Sequence, residues 1–248
     1  MTKIRALFLS TFLSAVLFHN YFVLPSEASS MDFFAGNTIA NKPLEEWAKE
    51  YWQWWMTVPE TIPKDPETNL DKCFTGSDPA GVMIFLVDSY QITYNAKCSM
   101  PSEKYILVPL LVGECDPTVP DPRGKSDNIQ DKWACAKDAD EIFRLWEVVL
   151  DGRILFKNSG NSVVNQNLTE QILVRNSSIF TINIPDMNRF GAPAGSYPAV
   201  VDGYYLVLKP LSVGEHTLEY SIVHEIPVPG VGMPQQIPGK VTYSLTVV

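Results

Sequence analysis

Apolar positions recur at helical spacing in one early part of the chain, residues 43–58. At about 100° per residue, the apolar side chains fall in one arc and most charged side chains in the opposite arc. The apolar arc contains Leu44, Trp47, Ala48, Tyr51, Trp52, Trp54, Trp55 and Val58. Asn41 is a possible N-cap, and Pro59 ends the pattern. The pattern predicts an amphipathic helix over residues 43–58 with a single buried side.

From Gly81 onward the apolar residues come in short runs bounded by turn residues, which is typical of β-strands. The predicted strands are 82–87, 91–94, 105–112, 171–175, 178–184, 204–208, 216–224 and 241–248. Pro109 interrupts the third run and indicates an edge strand or a bulge. Asp151-Gly152 separates two apolar runs and predicts a tight hairpin turn, because a type I′ turn needs positive φ at its centre.

Two segments lack a strand pattern. Residues 113–140 are acidic and contain three prolines, so the sequence predicts a long acidic surface loop there. Residues 139–150 predict a short helix that runs into a strand near Val148. Prolines and glycines crowd residues 227–239 and predict an irregular loop before the last strand.

Many short strands with turn signals between them predict a mainly β protein. We expect an immunoglobulin-like or jelly-roll-like β-sandwich, with the N-terminal amphipathic helix packed on it and one further short helix. Residues 43–248 form this single domain in the prediction, and a flexible segment at 29–42 precedes it.

Residues 1–28 have the layout of a secretory signal peptide. Lys3 and Arg5 precede an apolar run at 6–18, and small residues surround Ala28, where cleavage is expected. The alternative is a retained membrane anchor, but the apolar run is shorter than the roughly 20 residues that span a bilayer. No later run is apolar enough to span, so we expect a secreted or cell-surface protein.

The cysteines are Cys73, Cys98, Cys115 and Cys135. An even number in an exported protein predicts two disulfides, and three pairings are possible. The sequential pairing, Cys73 with Cys98 and Cys115 with Cys135, is favoured because each pair then brackets one local unit, a hairpin and the acidic loop. A zinc site is the alternative, but close-spaced cysteine pairs and partner histidines are missing.

The chain is acidic, with a formal net charge of −9. Cleavage after Ala28 removes Lys3, Arg5 and Glu27 and changes this to −10. Because an acidic surface repels phosphate groups, nucleic acid is not an expected partner.

Candidate chemistry is sparse. His216 and His224 lie on one predicted strand, about 26 Å apart, too far to share a metal ion. Motifs for an activated serine, a zinc protease or a phosphate-binding glycine loop are missing from the sequence. Acidic residues at 114–141 offer two possibilities, a carboxylate pair for a glycosidase-like hydrolase or a calcium site. For calcium, Asp127, Asn128 and Asp131 supply oxygen ligands, although their spacing does not match an EF-hand.

The indoles of the predicted helix raise the question of a sugar-stacking platform, which requires exposed rings. Trp52 and Trp54 lie at the two edges of the apolar arc, so they are the candidate ligand-binding residues. Asn167 and Asn176 begin N-glycosylation sequons and are candidate modification sites in an exported protein.

Parts of the sequence resemble known families. Residues 202–225 and 240–248 resemble the last hairpin of immunoglobulin-like sandwiches in exported microbial proteins. The runs YWQWWMTVP, DKCFTGS, GVMIFLVDSY and KCSMPSEKYILVPLL resemble a family of uncharacterised exported bacterial and archaeal proteins. That family combines a tryptophan-rich helix with cysteine-braced strands, and its archaeal side includes ammonia oxidisers. The resemblance implies a fold and a compartment but no activity.

These observations favour an exported, non-catalytic module that binds a surface protein or a glycan. A secreted hydrolase using the acidic residues at 114–141 and a calcium-braced structural protein are the alternatives. The sequence contains no indication of the oligomeric state.

Overall fold

A computed structural model of the chain describes residues 33–58, 71–73, 75–86, 93–141, 143–158, 163–164, 170–226 and 235–248. The predicted signal peptide, the sequon at Asn167 and the stretch 227–234 lie outside the described residues.

Strands dominate the described residues. They are β1 (Thr38–Ile39), β2 (Lys42–Pro43), β3 (Asp71–Lys72), β4 (Thr75–Ser77), β5 (Met83–Leu86), β6 (Thr93–Met100), β7 (Tyr105–Cys115), β8 (Phe143–Leu150), β9 (Arg153–Asn158), β10 (Val163–Val164), β11 (Leu173–Val174), β12 (Phe180–Ile184), β13 (Gly195–Leu208), β14 (Gly214–Ile226) and β15 (Gln235–Val247). The longer α-helices are α1 (Leu44–Trp55) and α2 (Ile129–Glu141), a short 3₁₀ helix covers Pro122–Lys125, and residues 170–172 are also helical.

The strands form two large sheets and a small hairpin. One sheet has the order β10-β9-β8-β14-β15-β6-β3, and the other has the order β11-β13-β7-β5-β4, with β12 also paired to β13. β1 pairs with β2. Buried side chains from both large sheets and from α1 belong to one connected apolar core. The mainly β sandwich with short helices is therefore confirmed.

Two local predictions about the strands are confirmed. Asp151 and Gly152 have φ values of 51° and 76°, as the hairpin between β8 and β9 requires. At Pro109 the pairing register between β7 and β13 shifts, because Tyr204 lies opposite Leu111 and Tyr205 opposite Pro109. The proline therefore marks a bulge, and it lies in a central strand rather than at an edge.

The prediction of an acidic loop at 113–140 is wrong at both ends. β7 continues to Cys115, and α2 occupies most of the second half. Ile129, Trp133 and Ala136 recur at helical spacing and pack around Cys135 in a small second core. Charged residues between them hide this apolar face in the sequence. The short helix predicted at 139–150 is also wrong, because α2 ends at Glu141 and β8 begins at Phe143.

The start of α1 differs from the prediction. Pro43 is the N-cap residue and the cap has no side-chain hydrogen bond. Ala40 and Asn41 instead have φ values of 50° and 64° in the turn between β1 and β2. The segment predicted to be flexible packs onto the domain from residue 33 onward, because Phe34 and Ile39 are buried in the core.

Both predicted disulfides are confirmed, Cys73–Cys98 and Cys115–Cys135. The first brackets the antiparallel hairpin of β4 and β5, as predicted. Cys73 follows β3, the chain then passes through β4 and β5 in the other sheet, and it returns to the first sheet at β6, which contains Cys98. The second disulfide attaches α2 to the end of β7. Paired disulfides are typical of proteins in oxidising compartments.

Candidate functional site

The tryptophans of α1 form the buried side of the helix. Trp47 and Trp55 are almost completely buried, and Tyr51 lies between them, with its ring 6.0 Å from that of Trp55. The indole nitrogen of Trp47 donates to the carbonyl of Ile39 over 3.0 Å. Burial of large aromatic surface is a main source of packing energy, so this face attaches α1 to the sandwich.

The structure corrects the prediction that Trp52 and Trp54 offer a sugar-stacking platform. Trp52 is 4% exposed, and its indole nitrogen donates to the hydroxyl of Tyr205 over 2.8 Å. Trp54 is half-buried, but its ring lies directly against Gly76, where an added Cβ would lie 2.2 Å from the indole nitrogen. A buried ring and a ring pressed against backbone do not form the pair of open faces that stacking requires.

The polar side of α1 also has partners. Lys49 is only 7% exposed, and its ammonium group lies 2.7 Å from Glu45, from Glu46 and from the hydroxyl of Ser178. Burial opposes the charge of Glu45, but hydrogen bonds from Lys49 and Ser178 outweigh it and lower the pKa of that carboxyl. The polar arc therefore pairs with the segment before β12.

Gln53 continues this polar stripe one turn further along α1. Its side-chain amide donates to the carbonyl of Asn183 over 2.8 Å and accepts from the backbone N–H of Asn183 over 2.9 Å. Both main-chain groups of that β12 residue are thus bonded to a helix side chain. Helix α1 therefore holds β12, and the loop that follows β12, in a fixed place.

The loop between β12 and β13, residues 185–194, is braced by Asn188. The amide nitrogen of Asn188 donates to the carbonyls of Pro185 and Ala192, over 2.9 and 2.8 Å. Its amide oxygen accepts from the backbone N–H groups of Phe190 and Ala192, over 3.1 and 3.0 Å. One side chain thus closes the loop from within, a role typical of asparagine in turns. We call residues 185–194 the display loop.

The display loop rests on α1 and exposes apolar side chains. The guanidinium carbon of Arg189 lies 3.9 Å from the ring centroid of Trp55, a cation–π contact. Met187 is 90% exposed and Phe190 is 42% exposed. The other large apolar side chains exposed in the described ranges lie outside this loop, and they are Ile154, Ile179, Val213 and Val248. The display loop therefore presents two apolar side chains in one fixed loop.

The sequence contains a signal for this loop. Residues 185–194 read PDMNRFGAPA, where turn formers surround a methionine and a phenylalanine. Large apolar residues inside a turn sequence have no core to enter, so they are candidates for a contact surface.

Ser212, His216 and Asp151 form an arrangement that the sequence did not predict. One ring nitrogen of His216 lies 2.7 Å from an Asp151 carboxylate oxygen, and the other lies 3.3 Å from the Ser212 hydroxyl. The second nitrogen is also 2.9 Å from the carbonyl of Ser212, which only accepts hydrogen bonds. Both ring nitrogens therefore act as donors, and the pKa of His216 is raised despite partial burial, by Asp151 and by that carbonyl. Through these contacts His216 links the turn between β8 and β9 to the segment before β14.

The structure describes most acidic side chains of residues 114–141, and those of Asp140 and Glu141 lie outside the described side chains. Glu114 and Asp116 are buried, and burial raises the pKa of Glu114 well above its usual value, with a further contribution from Asp116 and an opposing one from Lys132. Arg123 is bonded to both Asp121 and Asp138. Among these described carboxylates, two are buried and two are paired with Arg123, so these four do not form the accessible pair that the hydrolase hypothesis requires.

The predicted calcium ligands lie at the start of α2. The side chain of Asn128 accepts from the N–H of Gln130, and Asp131 accepts from the hydroxyl of Ser126 over 2.6 Å. The Asn128 contact caps the start of α2, and the Asp131 contact attaches the preceding Ser126 to its first turn. Within the described ranges, no group of three or more metal-binding side chains comes together.

The second sequon is accessible at its asparagine. Asn176 is exposed and has a φ of 53°, in the turn after β11. Ser178, the third residue of the sequon, donates its hydroxyl to Glu45. The side chains of His224 and Asn167 lie outside the part of the chain that the structure describes.

No family model, no curated protein and no solved structure matches the chain. No helix of the described ranges combines the length and the apolarity needed to cross a membrane. The resemblance to exported microbial proteins stays a prediction.

Proposed function

We propose that this protein is an exported, non-catalytic β-sandwich module that binds another surface protein through the display loop. The observation that carries the proposal is the exposure of Met187 and Phe190 in a loop whose backbone is fixed by Asn188. Methionine and phenylalanine are enriched at protein interfaces, where they enter apolar pockets of the partner.

The bracing of the loop favours binding. A loop that is already ordered loses little conformational entropy when a partner binds, so more of the contact energy appears as affinity. Asn188 orders the loop from within, and Arg189 holds it against Trp55. The display loop therefore meets the requirement of a preorganised contact site.

A protein is a better ligand than a glycan for this surface. Glycan binding by stacking needs flat, open aromatic faces, and the tryptophans of α1 do not offer them. Met187 is flexible and polarisable, and such side chains adapt to apolar protein pockets.

Export is part of the proposal. The two disulfides favour an oxidising compartment, and we infer that residues 1–28 direct the chain there. In a source that glycosylates its exported proteins, Asn176 and Asn167 are the expected acceptors.

The test uses a photoreactive amino acid at position 187 and an envelope extract from the source organism. A cross-linked protein is identified by mass spectrometry, purified and titrated against unlabelled wild type. We expect the double change Met187→Asp and Phe190→Asp to weaken its binding at least about 10-fold, as loss of two apolar anchors would.

Val213→Asp is the matched control, because Val213 is 72% exposed in another turn. We expect it to bind as the wild type does. Equal affinity of the double variant and the wild type, or binding to a glycan array with no protein partner, would contradict the proposal.

A further inference from the structure

We propose that Met187 is a peroxide-sensitive modification site, and that its oxidation to the sulfoxide weakens the binding of a partner to the display loop. The second half of this statement rests on the proposed binding function. The first half does not, since it concerns the chemistry of the side chain alone.

The exposure of the methionines carries the inference. Met56, Met83 and Met100 are at most 3% exposed, whereas Met187 is 90% exposed. Oxidation of a thioether requires direct access of the oxidant to sulfur, so accessibility determines which methionine reacts. Among the methionines in the described ranges, Met187 is therefore the one that dissolved peroxide reaches without unfolding.

The reaction needs hydrogen peroxide and no catalyst from the protein. The sulfur lone pair attacks one peroxide oxygen, an S–O bond forms, and the O–O bond breaks. The departing hydroxide takes the proton of the transferred oxygen and leaves as water. Sulfur is oxidised by two electrons and peroxide is reduced by two, and methionine sulfoxide reductases reverse the change.

The modification acts at the centre of the proposed contact surface. A sulfoxide is polar and chiral, so it enters an apolar pocket at a desolvation cost that the thioether does not have. The loop itself is held by Asn188 and by the contact of Arg189 with Trp55. Because Met187 takes no part in these contacts, oxidation changes the surface of the loop without unfolding it.

The first experiment is a peptide map of the intact protein after a time course with hydrogen peroxide. We expect Met187 to gain one oxygen at least about 10-fold faster than Met56, Met83 and Met100. Oxidation of Met187 at the rate of the three buried methionines would overturn the proposal, whatever the protein binds. Circular dichroism of the oxidised sample checks that the fold is retained.

The second experiment measures binding of the cross-linked partner before and after peroxide. We expect treated wild type to bind about 10-fold more weakly, and methionine sulfoxide reductase to restore the binding. In Met187→Leu, each sample is compared with its own untreated form, and peroxide is expected to change nothing. An equal loss in Met187→Leu would show that oxidation acts elsewhere and would overturn the proposed effect on binding. If no partner is found at all, the binding function fails while the peptide map still decides the modification site.

Discussion

Helices α1 and α2 both pack against β13, but different forces hold them. Helix α1 buries Trp47, Tyr51 and Trp55 and has no disulfide. Helix α2 buries little apolar surface, with Ala136 and Cys135 as its buried apolar residues, and the Cys115–Cys135 bond attaches it to β7. A helix with a wide apolar face can thus attach by burial, whereas one with a narrow face is helped by a covalent bond.

The largest expected effect is on stability, and it distinguishes Trp55 of α1 from Trp133 of α2. Trp55→Ala removes a fully buried side chain and its contact with Arg189, so we expect the free energy of unfolding to fall by about 3–5 kcal/mol. Trp133→Ala removes a half-buried ring whose nitrogen donates to Ser177, and a smaller fall of about 1–2 kcal/mol is expected. Urea unfolding measures both, and equal losses would contradict the contrast.

The second prediction removes the covalent bond. The double change Cys115→Ala and Cys135→Ala opens a loop of 20 residues, which is expected to cost about 3 kcal/mol of stability. Hydrogen exchange should show that the amides of α2 lose protection before those of α1. The matched control is Cys73→Ala with Cys98→Ala, in which α2 should stay protected relative to the rest of the domain. If α1 and α2 lose protection together in the first variant, the disulfide is not what holds α2.

The smallest expected effect is the dependence of stability on pH. It has opposite directions for Glu45 on α1 and for Glu114, which interacts with Lys132 of α2. The lowered pKa of Glu45 means that its contribution to stability is present above its unfolded pKa of about 4.3 and is lost as pH falls through the folded value. The raised pKa of Glu114 means that its contribution is present below about 4.3 and is lost as pH rises through the folded value.

Two conservative variants separate these effects in urea titrations at a series of pH values. Glu45→Gln should be less stable than wild type at neutral pH and should match it in acid. Glu114→Gln should gain relative to wild type as pH rises above about 4.3, because the unfolded wild-type chain releases the Glu114 proton there while the buried carboxyl keeps it, and glutamine has no such proton. A Glu114→Gln curve parallel to the wild-type curve would contradict the raised pKa, because it would mean that Glu114 has the same pKa in the folded and unfolded protein.

The two helices also differ in how far the sequence predicts them. The apolar arc of α1 is wide and rich in tryptophan, so the helical period of its apolar residues is easily recognised in the sequence. In α2 the apolar positions Ile129, Trp133 and Ala136 are separated by charged residues, and the helix depends on a disulfide whose partner is distant in sequence. Periodicity alone measures local burial, and it therefore misses a helix that tertiary contacts stabilise.

The candidate site was harder to predict than the fold. The contacts of Gln53 with Asn183 and of Arg189 with Trp55 join residues more than 100 positions apart, and they depend on where β12 lies beside α1. The 90% exposure of Met187 depends on how the described elements are arranged around the loop. Composition near residues 185–194 suggests a contact surface, but only the three-dimensional arrangement identifies what braces it.

The hydrogen bonds of Gln53 have a consequence for behaviour at high concentration. An open strand edge is a template on which a second molecule can add its own strand, the first step toward aggregates. At Asn183, the side-chain amide of Gln53 occupies both groups that such a strand would need. A helix side chain thus blocks strand addition at Asn183. The same helix that supports the display loop therefore also limits self-association along β12.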